Sequence, residues 1–374
     1  MKNKANSLSI SHLNAPHFAP LYKYNDMYDT SLINLIKAKG YINFNKEVEY
    51  FINNDKWLYL PSNYLIDNEI ERIKPDFNLT NKISSYDEFM VTLKEAIIKD
   101  IKKAENDFKG YLNVIMCGGK DSLNLLLLPW ENPVLVVSAM PNYLLVKQFI
   151  KDNGLNYKVI ELIDKKPDIN KEILINCCRL NLHMSCAWHK HLEEIATEND
   201  KKVIFWVGQL GDLLLVKPGW INKTNTYPFL GCGFNYYKFY NTITKNIDTQ
   251  RIRESVKFRI GNHLIDTKKI FFKLLWKKYA HLQGVHMGII NEHTGAPVLS
   301  GYHGKNCWNV FTNTDYERVI TRDLRSDFGR FLFNKTVIYP ETNPSPGPYF
   351  QRKHISDTQS FLNAIQDVGI KVYN

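Results

Sequence analysis

The chain has 374 residues, 44% of them hydrophobic and 23% charged, and carries a formal net charge of +10. That length suits one large or two modest domains, and the composition is ordinary for a soluble globular protein. No apolar run approaches the ~20 residues of a membrane span, and the polar start Met1-Lys2-Asn3-Lys4-Ala5-Asn6 lacks a signal core, so neither a span nor a secretion signal is expected.

In chain order, residues 1–20 show no periodicity and read as a loose arm. Residues 30–75 carry short mixed runs, such as Trp57-Leu58-Tyr59-Leu60, that predict the strands and turns of a small cap. Over 85–108, Phe89, Leu93, Ala96, Ile97, Ile101 and Ala104 recur at helical spacing and predict an amphipathic helix. Strand and helix then alternate: strand Val114–Met116, a helix start at Ser122–Leu128, strand Val134–Val137, helix Tyr143–Asn153 stopped by Gly154, and strand Lys158–Leu162. A long helix follows over 170–199, then strand Val203–Val207. Continuous apolar strands alternating with helices predict an α/β fold, a doubly wound parallel sheet, with ligands at the carboxyl ends of its strands. Residues 213–310 are less regular, with helical patterns returning near 265–282 and 315–333.

The most informative stretch is Val-Ile-Met-Cys-Gly-Gly-Lys-Asp-Ser at 114–122, a strand feeding a glycine turn and a helix start. Such a loop suits a polyanion: glycines admit close backbone approach, and unpaired N–H groups face phosphate oxygens. The carboxylate of Asp121 would repel phosphate unless a divalent cation lay between them, which points to Mg²⁺ bound with a nucleotide. The second turn, Gly208–Asp212, also follows a strand and falls on the same edge of the sheet. The positive charge is spread along the chain. General solubility accounts for it, with nucleic-acid affinity as the alternative. Six cysteines without a Cys-x-x-Cys pair suggest a reducing cytoplasm.

The loop Cys117-Gly118-Gly119-Lys120-Asp121-Ser122 resembles the Ser-Gly-Gly-x-Asp-Ser pyrophosphate loop (PP-loop) of the N-type ATP pyrophosphatases, with Cys117 in place of the first Ser. Within that superfamily the asparagine-synthetase branch fits best. Gly208-Gln209-Leu210-Gly211-Asp212-Leu213 is similar to its Gly-Glu-Gly-x-Asp-Glu signature, with both Glu positions changed, to Gln209 and Leu213. Gly295-Ala296-Pro297-Val298-Leu299-Ser300 and Arg352-Lys353 are weaker echoes of an Arg-x-Pro-Phe-Leu-Asp and a late Arg-x-Lys segment.

The resemblance implies a sheet of the PP-loop (adenine nucleotide alpha hydrolase-like) type, with residues 1–84 a reduced α+β cap and 85–374 the synthetase domain. It implies ATP and Mg²⁺ as cofactors. Met116, Cys117, Gly118, Gly119, Asp121, Ser122 and Gly208 would lie on the nucleotide, with Ser138, Ala139 and Met140 near adenine. Asp121 and Asp212 would hold the metal. Lys353 is the candidate catalytic residue, with Arg352 the alternative. Lys2 stands where glutamine-using members carry their Cys nucleophile, so no glutaminase is expected. The implied activity is an ATP-dependent carbon–nitrogen ligase that adenylates a small-molecule or peptide carboxylate, releases pyrophosphate and passes the acyl group to an amine. The alternatives are an enzyme adenylating a nucleobase or tRNA, and a catalytically degenerate nucleotide-binding partner protein.

His183, Cys186, His189 and His191 crowd one stretch and suggest either a metal site or partly buried helix residues. The aromatic residues of 220–237 suggest a substrate pocket or plain core. His286, His293 and His303 include a possible proton carrier.

Overall fold

The computed structural model describes residues 21–24, 27–29, 37–43, 58–60, 64–66, 69–71, 82–163, 165, 188–209, 211, 215, 287, 290, 291, 293–302, 304–314, 319, 324–340, 363 and 366–373. Near the start lie strands β1 (Leu21–Tyr24), β2 (Met27–Asp29), β3 (Tyr41–Asn43), β4 (Leu58–Leu60), β5 (Tyr64–Ile66) and β6 (Glu69–Glu71). β2, β1 and β4 form an antiparallel sheet, and β5 pairs with β6 antiparallel.

The 22-residue helix α1 (Tyr86–Asp107) begins at Ser85, whose hydroxyl accepts the Glu88 N–H at 3.3 Å. Phe89, Leu93, Ile97, Ile101 and Ala104 are buried along one face, as their spacing predicts. Then come β7 (Leu112–Met116), α2 (Lys120–Leu125), β8 (Val134–Ala139), α3 (Asn142–Asp152), β9 (Lys158–Leu162), α4 (His189–Thr197), β10 (Val203–Val207), β11 (Val298–Ser300), α5 (Lys305–Thr312), α6 (Leu324–Phe333) and β12 (Lys371–Tyr373). β12 pairs in parallel with β3.

Five strands form an all-parallel sheet in the order β11-β10-β7-β8-β9. Period-two alternation sends side chains to both faces. Ile115, Val136, Ile204, Trp206 and Leu299 pack with residues of α1, α3, α5 and α6. Val114, Leu135, Val137, Val203, Phe205 and Val207 face the other way, onto Trp188, Leu192, Ile195, Met287 and Ile290. All five side chains of β10 are buried, which explains its unbroken apolar sequence. Helices therefore cover both faces of a parallel sheet. The chain runs outward from β7 to β8 and β9, then returns to place β10 and β11 on the other side of β7. The strand order thus reverses between β7 and β10.

Buried polar groups key these layers together. Glu105 of α1 accepts the Asn113 amide at 2.8 Å and the Asn132 N–H at 2.9 Å, and Asn113 Oδ1 accepts the Trp206 indole N–H at 2.8 Å. Asp100, also on α1 and fully buried, accepts the Cys307 N–H at 3.0 Å and the Asn306 side-chain amide at 2.6 Å, so it caps the start of α5. Burial pushes the Asp100 carboxyl up to about 6, against the lowering effect of these donors.

Several expectations are adjusted. α2 stops at Leu125. The N–H groups of Leu126, Leu127 and Leu128 bond three residues back rather than four, in a tightened turn before Pro129. Of the helix expected over 170–199, 189–197 lies in α4, while 166–187 falls outside the described residues. Also outside them are the arm 1–20, the helical pattern 265–282, the pair Cys177-Cys178 and the aromatic stretch 220–237. Among the described residues, no helix is long and apolar enough to cross a membrane.

Candidate functional site

The reversal of strand order creates a crevice at the carboxyl ends of β7 and β10, the position where open α/β sheets bind ligands. Val207 pairs with Met116, so the turns beginning at Gly208 and Cys117 leave the sheet at the same level. These two turns interlock. A Cβ on Gly208 would lie 2.6 Å from the Ser122 backbone nitrogen, and one on Gly211 would lie 2.6 Å from Asp121 Cβ. Only glycine allows this approach. Ser300, at the end of β11, donates its hydroxyl to the Gln209 carbonyl at 2.6 Å and accepts the Tyr302 N–H at 3.2 Å. Of the segments singled out in the sequence, 117–122, 295–300 and the described part of 208–212 (Gly208, Gln209 and Gly211) thus meet at one edge.

The 117–122 turn is braced from within. Ser122 Oγ accepts the N–H groups of Gly118 at 2.9 Å and Gly119 at 3.1 Å and donates to the Gly119 carbonyl at 2.9 Å. The Cys117 thiol is buried and donates to the Ser122 carbonyl at 3.6 Å, and burial pushes its pKa up, so it stays a neutral thiol. The Ser138 hydroxyl, also buried, donates to the Cys117 carbonyl at 2.6 Å. Tyr302 donates its buried hydroxyl to the Asp121 carbonyl at 2.7 Å, and burial holds this phenol protonated.

A cavity of about 290 Å³ opens against these turns. Met116, Cys117, Gly118, Gly119, Asp121, Ser122, Ser138, Ala139 and Gly208 all line it, together with Gln209, Asn142, Trp188 and Ile290. Met140, expected near adenine, is half-buried beyond Ala139 and is not in the lining. Asp212, Arg352 and Lys353 lie outside the described residues.

Three site residues carried no local signal. Asn142 begins α3 beside the cavity, and Trp188 closes it from the α4 side. Asn142 Oδ1 and Trp188 Nε1 are buried and have no hydrogen-bond partner among the described residues. The third is Arg325 of α6, whose Nε lies 3.1 Å from Asp121 Oδ1.

The described residues fit a nucleotide carrying its metal. The turn is glycine-lined, two buried polar atoms on the wall await a polar partner, and one carboxylate stands at the loop. Among the described residues no group of three or more His, Cys, Asp or Glu could hold a metal ion by itself. Mg²⁺ needs no such group when it arrives with phosphates, since one or two carboxylates suffice. Of the histidines, His189, His191 and His293 are among the described residues. The buried His189 ring stacks 4.5 Å from that of His293, whereas His191 Nδ1 accepts the Ile163 N–H at 3.1 Å. Burial lowers the His191 pKa, so it accepts as a neutral imidazole. His183, Cys186, His286 and His303 lie outside the described residues.

Comparison of the sequence with protein-family models and with curated proteins gives no match.

Proposed function

We propose that the chain is an ATP-dependent amide-bond-forming synthetase of the asparagine-synthetase-like, PP-loop kind. The observation that carries this reading is the interlock at the strand-order reversal, where Gly208 sits on Ser122 and Gly211 on Asp121. A glycine turn and a second strand-end turn are packed against each other there, beside a cavity with buried polar atoms on its wall, which supports reading the first turn as a phosphate loop.

In this reading the Gly118 and Gly119 N–H groups, now on Ser122 Oγ, turn with the Ser122 hydroxyl toward the pyrophosphate half of ATP. Asp121 would hold Mg²⁺ brought in with the nucleotide, and the metal would supply neutralisation of phosphate charge. Asp212, the residue after Gly211 in the sequence, is assigned the second ligand position by resemblance alone. The floor at Ser138 and Ala139 takes the adenine side. The substrate carboxylate displaces pyrophosphate at the α-phosphorus, and an amine then displaces AMP from the activated acyl group. Lys353, or Arg352 in its place, is assigned to the developing charge. Gln209 cannot accept a proton, so the amine enters neutral or loses its proton to another group. Positioned donors and counter-charges of this kind contribute roughly 2.7–4 kcal/mol each to such steps.

The test is calorimetric titration with Mg·ATP, coupled to a pyrophosphate-release screen over carboxylic acids with an amine present. Asp121→Ala should weaken Mg·ATP binding by roughly 100-fold or more and abolish release. Undiminished binding in that variant would remove the reading.

A further inference from the structure

Asp121 has a partner that the sequence did not suggest. Its carboxylate faces Arg325, with Nε 3.1 Å from Oδ1, and both side chains retain access to solvent, at 18% for Asp121 and 33% for Arg325. The backbone of Arg325 is fixed close to the loop. Its carbonyl accepts the Asn124 side-chain amide at 2.9 Å and the Tyr339 hydroxyl at 3.3 Å, so α6 is tied to α2, the helix that continues the loop. One residue on, Ser326 Oγ lies 3.4 Å from Lys120 Nζ. Leu324 and Phe328 anchor the same helix in the core. A guanidinium on a long, half-exposed arm is thus mounted on a fixed helix beside the glycine turn.

Resting on the nucleotide reading, we propose that Arg325 is a phosphate-binding residue that also stands in for the metal. Before ligand arrives it neutralises Asp121. When Mg²⁺ enters with a triphosphate, Asp121 exchanges the guanidinium for the metal, and Arg325 swings to a phosphate oxygen. The charges favour the exchange. Arg325 leaves the Asp121 carboxylate, a partly solvent-screened partner, for a polyanion. A guanidinium also suits phosphate geometry, because its fork donates two parallel hydrogen bonds. No covalent bond changes in this step.

The proposal gives Arg325 opposite effects on two ligands. Toward a bare divalent cation it competes, because it occupies the carboxylate. Toward the metal–nucleotide complex it contributes. The experiment measures Mn²⁺ alone by electron paramagnetic resonance and Mg·ATP by calorimetry, on the full chain, with the melting temperature as a folding control. In Arg325→Met, Mn²⁺ affinity should rise several-fold, and Mg·ATP affinity should fall roughly tenfold or more. Arg325→Lys keeps the cation without the fork. It should leave Mn²⁺ affinity near wild type, with Mg·ATP affinity between the other two, and it serves if the Met variant does not fold. Affinities that move in the same direction, or do not move, overturn the proposal and leave the nucleotide reading intact. Wild-type protein that binds no Mg·ATP overturns both.

Discussion

Gly208→Ala puts the contact between the two turns to a direct test. The added methyl would lie 2.6, 2.8 and 2.9 Å from Ser122 N, Cα and Cβ, two of them backbone atoms that cannot rotate away. An ordinary contact needs ~3.5 Å, so the turns must part by about 0.9 Å. Overpacking of this kind costs about 1–3 kcal/mol. For domains of 150–250 residues that lowers Tm by roughly 2–4 °C per kcal/mol. A displacement of ~1 Å at a positioned site can cost about 100-fold, so Mg·ATP affinity should fall by one to two orders of magnitude. Gly118→Ala is the control for stability alone, because its methyl would meet only Asn142 Nδ2, at 3.8 Å, an ordinary contact. Its Tm should stay at the wild-type value, while its affinity is not a control because Gly118 lines the cavity. The assay is thermal unfolding followed by calorimetry on wild type and both variants. A Gly208→Ala protein with wild-type Tm would show that the turns are not in contact, and one with lowered Tm but full affinity would show that their contact does not shape the site.

Two further outcomes follow from buried polar groups. The folded-state pKa of Asp100 is raised from 3.8 to about 6 by burial, so the stability it contributes is full below pH ~4 and is lost as pH rises through 6. The difference amounts to about 3 kcal/mol. Asp100→Asn should therefore become less destabilising, relative to wild type, between pH 4 and 7 in urea unfolding, and a pH-independent difference would refute the assignment. Trp206→Phe removes the indole donor from Asn113 Oδ1 and the edge-on ring contact with Trp130 at 4.9 Å. It should lose about 1–3 kcal/mol in the same assay, and a loss below ~0.5 kcal/mol would mean that the bond is not formed in solution.

What was legible in the sequence followed the range of its causes. Val203–Val207 was readable to the residue, because burial of a central parallel strand forces a continuous apolar run. Lys158–Leu162, at the sheet edge and only partly buried, was readable from its β-branched Val159-Ile160 centre despite Lys158 and Glu161. Glycines 118, 119 and 208 were readable as the makers of turns at strand ends. β11 was not, since three residues, Val298–Ser300, carry no period and become a strand only by pairing with β10. α5 was missed because its cap comes from Asp100, some two hundred residues earlier. The same distance hid the role of Asp100, a charge on the apolar face of α1. Arg325 and Trp188 reach the site by tertiary folding alone, so nothing beside them in the chain points there.

The Glu105–Asn113–Trp206 trio does more than fill hydrogen-bonding capacity. A slip of β10 along β7 would send buried side chains to the wrong face and would also carry the Trp206 indole N–H away from the Asn113 amide oxygen. The trio therefore acts as a locating pin. It fixes how far each strand protrudes, and hence whether the glycines at the two ends arrive opposite each other. A mutation on that buried face of the sheet could misalign the ligand edge without touching any residue that lines it.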